Sequence, residues 1–218
     1  YGYDIAINPG KNAMLTSSFT GYKNYMRPLG ELIKDGEAMK NFGNTMVLWD
    51  LKAMKPQQVF SVPGAPLEIR WSLNPKDDWA ITATALTSKL WLIKPDGKGG
   101  WQAKDVATIG DPSKIPLPVD ISISADGKGL WVNTFMDGKT RYFDLINPEW
   151  DERYRDYWQE YHALTDRKGV TVSIAKIEMR RRLSLIGAML LHKGEVDGLL
   201  CGTWGTTHAH LHYIDQVI

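Results

Sequence analysis

Glu68 and Arg70 stand two residues apart in the run Pro66-Leu67-Glu68-Ile69-Arg70, where apolar and polar residues alternate. On a strand that spacing puts both side chains on one face. A carboxylate beside a guanidinium can line a channel and orient a polar substrate, or it can form a structural ion pair; the spacing is compatible with both. These two are the catalytic candidates of the chain. Asp4 and Asp120 hold the place equivalent to Glu68 in two sister segments, Asp4-Ile-Ala-Ile-Asn-Pro9 and Asp120-Ile-Ser-Ile-Ser-Ala-Asp126-Gly127. A carboxylate recurring in this way is expected as a hydrogen-bond acceptor of a repeat. Further along, Thr206 and Thr207 precede an expected helix. Free N–H groups at a helix start favour anions and hydroxyls add donors, so the pair is a phosphate-binding candidate, with a plain N-cap turn as the alternative. The run His208-Ala-His210-Leu-His212 follows. On a strand all three imidazoles share a face and can bind a metal; on a helix only His208 and His212, at i and i+4, align. A helix is expected, which leaves His208 and His212 as metal candidates against surface histidines without a ligand. Cys201 is expected as a buried thiol, since no base is implied beside it.

The elements that must carry these residues differ along the chain. Up to Leu145 the hydrophobic period is 2. Each sister segment ends in a turn and is followed by further alternating strands, Ala13–Ser17, Trp79–Ala85 and Gly129–Thr134, then Thr45–Leu51, Lys89–Lys94 and Thr140–Leu145. Two units add a fourth strand, Gln57–Val62 and Gln102–Ile109. Consecutive antiparallel units of this kind predict about three blades of a β-propeller, with a β-sandwich as the alternative. The segment Gly21–Phe42 is long between strands and is expected as a lid, a binding loop or a short helix over Leu29–Met39.

After Leu145 the period is helical. Tyr154, Tyr157, Trp158, Tyr161 and Leu164 recur at spacings of three and four, and Gly169 suits a helix C-terminus. A second helix is predicted from Thr171 or Ser173 to Leu191, a short buried strand over Val196–Cys201, a loop over Gly202–Thr207 and a last helix from His208. The fold class predicted is therefore mainly β, about three propeller blades in 1–145, followed by a partial α/β segment, α–α–β–α, in 146–218.

Composition narrows the function classes. Lys+Arg 26 against Asp+Glu 25 gives a formal charge of +1, which argues against a dedicated nucleic-acid binder. No apolar run approaches the roughly 20 residues that span a bilayer, so neither a nucleic-acid nor a membrane partner is expected. One cysteine excludes an intrachain disulfide framework. The sequence opens without an initiator Met or a signal peptide, which fits a truncated or processed start.

The segments Tyr1-Gly-Tyr-Asp4, Asn44-Thr-Met-Val-Leu-Trp-Asp50, Pro66–Arg70 and Trp131–Leu145 resemble the methanethiol oxidases, also called the selenium-binding protein family. The resemblance covers nearly all of residues 1–145. It implies a multi-bladed propeller, a small-molecule thiol as partner and copper as cofactor. The reaction implied is copper-dependent oxidation of methanethiol to formaldehyde, hydrogen sulfide and hydrogen peroxide, in bacteria in the periplasm. Copper needs imidazole or soft sulfur ligands. Residues 1–145 hold no His and no Cys, so their sulfur is confined to methionines. The copper ligands are expected outside this stretch.

The runs Asp151–Trp158, Lys176–Arg182 and Gly194–Thr203 resemble the phosphate acetyl/butyryl transferase-like domain at the C-terminus of bacterial NADP-type malic enzymes. This second resemblance covers about residues 146–218. It implies a regulatory module responding to acyl-CoA or phosphate, and a cytoplasmic compartment. No Gly-x-Gly-x-x-Gly fingerprint and no Tyr/Lys pair with metal carboxylates accompanies it. Four function classes stay open: a thiol oxidase, incomplete and inactive alone; an acyl-CoA- or phosphate-responsive fragment; a joined chimera without activity; and a structural or interaction role for the open β blades.

Overall fold

The computed structural model describes residues 2–146, 148, 151–199, 201 and 206–218. The chain divides into two compact units, Tyr1–Leu145 and Ile146–Ile218.

The first unit is antiparallel β throughout. Its first sheet runs in the order β1 (Gly2–Asn8), β2 (Ala13–Ser18), β3 (Thr45–Asp50) and β4 (Lys55–Ser61). Its second runs β5 (Pro66–Trp71), β6 (Ala80–Thr84), β7 (Lys89–Pro95) and β8 (Trp101–Thr108). The third holds β9 (Pro118–Ile123), β10 (Gly129–Thr134) and β11 (Lys139–Asp144). Each sheet is an up-and-down meander of sequence-consecutive strands, joined by turns and loops except between β2 and β3, where a long segment intervenes. The first strands stand side by side, β1 against β5 and β5 against β9. That is the blade arrangement of a propeller, with the sister segments as the inner strands.

Alternation supplies the packing between blades. Leu15, Leu48 and Phe60 of the first blade meet Ile69, Trp71 and Ile93 of the second in one apolar cluster. Ile81, Ala83 and Leu90 on the opposite face of the second blade meet Ile121, Leu130 and Val132 of the third. Each such large side chain, fully buried, contributes roughly 1.5–3 kcal/mol. Trp71 adds a directional tie, its indole N–H donating to the Ala6 carbonyl at 3.0 Å.

The long segment between β2 and β3 forms three helical turns, α1 (Tyr22–Tyr25), α2 (Leu29–Leu32) and α3 (Gly36–Met39), rather than one helix over 29–39. Asp35 caps α3, accepting from Glu37 and Ala38 N–H at 3.1 and 3.0 Å, and pairs with Arg27 at 2.8 Å. Leu32, Ala38 and Phe42 pack on Leu67, Ala85 and Leu117. The insert is thereby seated over one end of all three blades.

The second unit is helical among the described residues: α4 (Tyr154–Thr165), α5 (Val172–Arg181), α6 (Leu183–His192) and α7 (Thr207–Asp215). Its core gathers Tyr157, Tyr161, Met179, Leu185, Met189 and Val217. Gly169 takes the expected left-handed conformation, φ 87°, after a short 3-10 turn. Two expectations are corrected. The single helix expected over 171–191 is two, because Arg182 leaves helical geometry at φ −109°, ψ 93°. The strand expected over Val196–Cys201 is not formed at residues 196–199 or 201. No described strand of this unit lies alongside to take its backbone hydrogen bonds, and an unpaired strand has nothing to hold it. Cys201 is accordingly exposed, not buried. Leu200 and most of the expected loop, 202–205, lie outside the described residues.

Candidate functional site

The inner strands bring the three repeat-equivalent carboxylates to one guanidinium. Arg70 Nη1 lies 2.7 Å from Glu68 Oε2 on its own strand and 3.5 Å from Asp4 Oδ2 on β1. Its Nη2 lies 3.4 Å from Asp120 Oδ1 on β9. The same Nη1 donates to the Ile69 carbonyl at 2.9 Å, while Asp4 Oδ2 accepts the Ile69 N–H at 2.7 Å. Each carboxylate comes from a different blade, so the cluster is assembled only when all three pack. Its members are half-buried to exposed, and carboxylates outnumber the guanidinium.

Tyr3, next to Asp4, shares this region. Burial of its phenol, then the charges of Glu68, Asp4 and Asp120, push its pKa above the ordinary value. The sequence held one signal of its role, adjacency to the recurring acid, and nothing there showed that its ring would turn toward the insert, where it packs edge-on to Phe19 at 5.5 Å.

The C-terminal candidates do not converge. Thr206 is the N-cap of α7, its hydroxyl accepting the Ala209 N–H at 3.2 Å. Thr207 opens the helix and is exposed, as is His208. His212 Nε2 lies 3.2 Å from the Gln216 amide nitrogen, and its ring meets Tyr213 at 5.1 Å. His210, which helical phase set aside, is the imidazole that reaches another element: its Nδ1 lies 2.6 Å from Ser184 Oγ of α6.

Copper can be tested against these donors. The first unit offers neither imidazole nor thiolate, the ligands copper favours. Its methionines are dispersed: Met46 is fully buried in the packing between blades, whereas Met26, Met54 and Met136 are exposed. The acidic cluster closes on a guanidinium, whose charge opposes a cation. Among the described residues no three His, Cys, Asp or Glu side chains are grouped to hold a metal. The residues present do not fit copper.

The model of the 56 kDa selenium-binding protein family matches residues 1–156. The chain belongs to this family. A second family model, phosphate acetyl/butaryl transferase, matches residues 133–218. Methanethiol oxidase of Hyphomicrobium sp is 71% identical over 149 residues, 68% of this chain and 34% of that protein. NADP-dependent malic enzyme of Salmonella typhimurium is 31% identical over 131 residues, 58% of this chain and 17% of that protein. Among solved structures, a hypothetical selenium-binding protein from Sulfolobus tokodaii superposes with a TM-score of 0.58 at 26% identity, covering 67% of this chain and 36% of that one. The chain thus spans about a third of the length of the selenium-binding relatives it matches. Membership agrees with the mainly β, blade-built first unit and with the family read from Pro66–Arg70. No helix among the described residues is long and apolar enough to cross a membrane.

Proposed function

We propose that the first unit is part of the channel wall of a methanethiol oxidase, with Arg70 holding Asp4, Glu68 and Asp120 in register at the inner strands. The observation that carries this reading is the convergence of one acid from each blade on a single guanidinium, in a chain 71% identical to a methanethiol oxidase over 149 residues. The reaction takes methanethiol, dioxygen and water to formaldehyde, hydrogen sulfide and hydrogen peroxide: carbon is oxidised, dioxygen is reduced to peroxide and sulfur leaves as sulfide. Copper, on this reading, is held by parts of the oxidase that this chain does not span, and the 218 residues alone do not turn over. The partner is a small thiol, with no nucleic acid or membrane involved, and the compartment is the periplasm.

The test is a segment exchange. Residues 2–145 replace their counterpart in the Hyphomicrobium oxidase, and peroxide and sulfide release from methanethiol are followed. Turnover is expected; a folded, copper-loaded hybrid without turnover would sink the reading. Copper bound by the 218-residue chain itself, with peroxide release, would overturn the placement of the ligands elsewhere.

The transferase match over residues 133–218 favours a second reading for the helical unit, a cytoplasmic module responding to acyl-CoA or phosphate. Calorimetry with acetyl-CoA and with inorganic phosphate tests it. Heat that saturates supports the module, and silence in both leaves a joined chimera, with Thr206 acting as a cap alone.

A further inference from the structure

A cavity of about 190 Å³ lies between the helical insert and the ends of the three blades. Phe19, Leu32, Phe42, Leu67 and Val119 line it, and among the described lining residues the phenol oxygen of Tyr3 is the only side-chain oxygen or nitrogen. Tyr3 is 47% exposed, so it stands at the outer edge. An apolar cavity of roughly 150 Å³ stays dry and accepts a molecule of benzene size; this one has comparable room. A charged ligand entering it would lose its hydration without finding a partner, a cost of several kcal/mol.

Charge at the rim adds a sign to that preference. Asp4 adjoins Tyr3 in the chain and gathers with Glu68 and Asp120 on Arg70 at 3.5, 2.7 and 3.4 Å; one guanidinium among three carboxylates offsets only part of their charge. An anion approaching past Tyr3 meets net repulsion, whereas a neutral molecule does not.

We propose that this cavity binds a small uncharged organosulfur compound by its alkyl groups, and that the carboxylates beside Tyr3 exclude anionic thiols from it. The volume, lining and rim charge argue for a neutral apolar ligand; the choice of sulfur compounds rests on the oxidase reading. The insert α1–α3 then serves as the binding wall, and its Leu32 and Phe42 set the size limit.

The experiment uses the whole chain and two probes of similar size, diethyl sulfide and 3-(methylthio)propanoate. Neither carries an S–H bond, so binding is read without turnover. Methyl NMR signals of Leu32, Leu67 and Val119 are followed in titrations. Diethyl sulfide is expected to shift them saturably, and the anion to bind at least about tenfold more weakly. Val119→Phe, which fills the cavity, is expected to abolish the shifts while far-ultraviolet circular dichroism is unchanged. If that variant fails to fold, the comparison of the two probes on the unsubstituted chain still decides. Equal affinity for both probes, or no saturable shift with either, overturns the proposal. An active segment-exchanged oxidase together with a silent cavity would overturn this inference and leave the oxidase reading standing.

Discussion

The backbone N–H of Ile69 donates to Oδ2 of Asp4 at 2.7 Å, joining the inner strand of the second blade to a side chain of the first. The same oxygen lies 3.5 Å from Arg70 Nη1. Hydrogen bonds to a charged acceptor contribute about 1.5–3 kcal/mol each. Asp4→Ala should therefore lower the stability of the β unit by about that much, and Asp4→Asn by less, since its amide oxygen still accepts. Urea unfolding followed by tryptophan fluorescence reads the difference; equal midpoints for both variants and the parent would remove Asp4 from its place as a tie between blades.

Gly43 is where the insert rejoins the sheet. Its N–H donates to the Phe19 carbonyl at 2.5 Å, next to the lone bridge between Thr20 and Phe42. A methyl group at Gly43 would overlap the Ser18 carbonyl oxygen, a backbone atom with nowhere to go. Gly43→Ala is expected to cost about 1–3 kcal/mol as overpacking and to loosen α1–α3 in particular. Hydrogen exchange locates the effect: faster exchange across 20–42 with β5–β8 unchanged is expected, and uniform protection in the variant would count against it.

The recurrence of Asp4, Glu68 and Asp120 was legible in the sequence because period-2 alternation and turn dipeptides mark the inner strand of every blade. Their meeting at Arg70 was not. Asp4 lies 66 residues from Arg70 and Asp120 lies 50 away, and only the packing of blade on blade brings them together. Alternation cannot report a contact between faces of different sheets. The cavity was hidden for the same reason: Tyr3, Leu32 and Val119 share no periodicity. In the helical unit Tyr157 and Tyr161 were readable as a buried stripe. The break at Arg182 was not, since neither Gly nor Pro marks it. Val196–Cys201 had the composition of a strand without a neighbour to pair with, and composition alone cannot supply one.

Asp137 carries an acid-dependent contribution. Hydrogen bonds from Arg141 first, then from Thr134, hold its carboxyl far below the ordinary carboxylate range. A depressed folded-state pKa stabilises the fold above the unfolded value, about 3.9, and the benefit fades as pH falls toward the folded value. The stability gap between the parent and Asp137→Asn should be constant near neutrality, shrink below about pH 4 and close in stronger acid. Denaturation midpoints across that range test it, and a gap that widens on acidification would contradict the sign.

The helical unit should fail at the other end of the scale. Tyr161 donates to Glu178 Oε2 at 2.7 Å, with Gln216 Oε1 2.6 Å from the same phenol oxygen, and Tyr157 donates to Glu195 Oε2 at 2.8 Å. Burial, then the carboxylate each phenol faces, raises both pKa values well above the ordinary one. A phenol whose folded pKa is raised contributes stability that is complete below the unfolded value, about 10, and declines as pH rises beyond it. Above about pH 10 the unfolded chain ionises these two phenols and the folded one does not, so unfolding is drawn forward. Helical circular dichroism should fall in that range, with phenolate absorbance of the two residues appearing in step with it. Tyr157→Phe with Tyr161→Phe should flatten the alkaline decline, at a neutral-pH cost of about 1.5–3 kcal/mol for each lost hydrogen bond to a carboxylate, since Glu178 keeps Tyr213 and Glu195 keeps Arg153 as donors. Ionisation of both phenols near pH 10 with the helices intact would show that neither is held as the geometry requires.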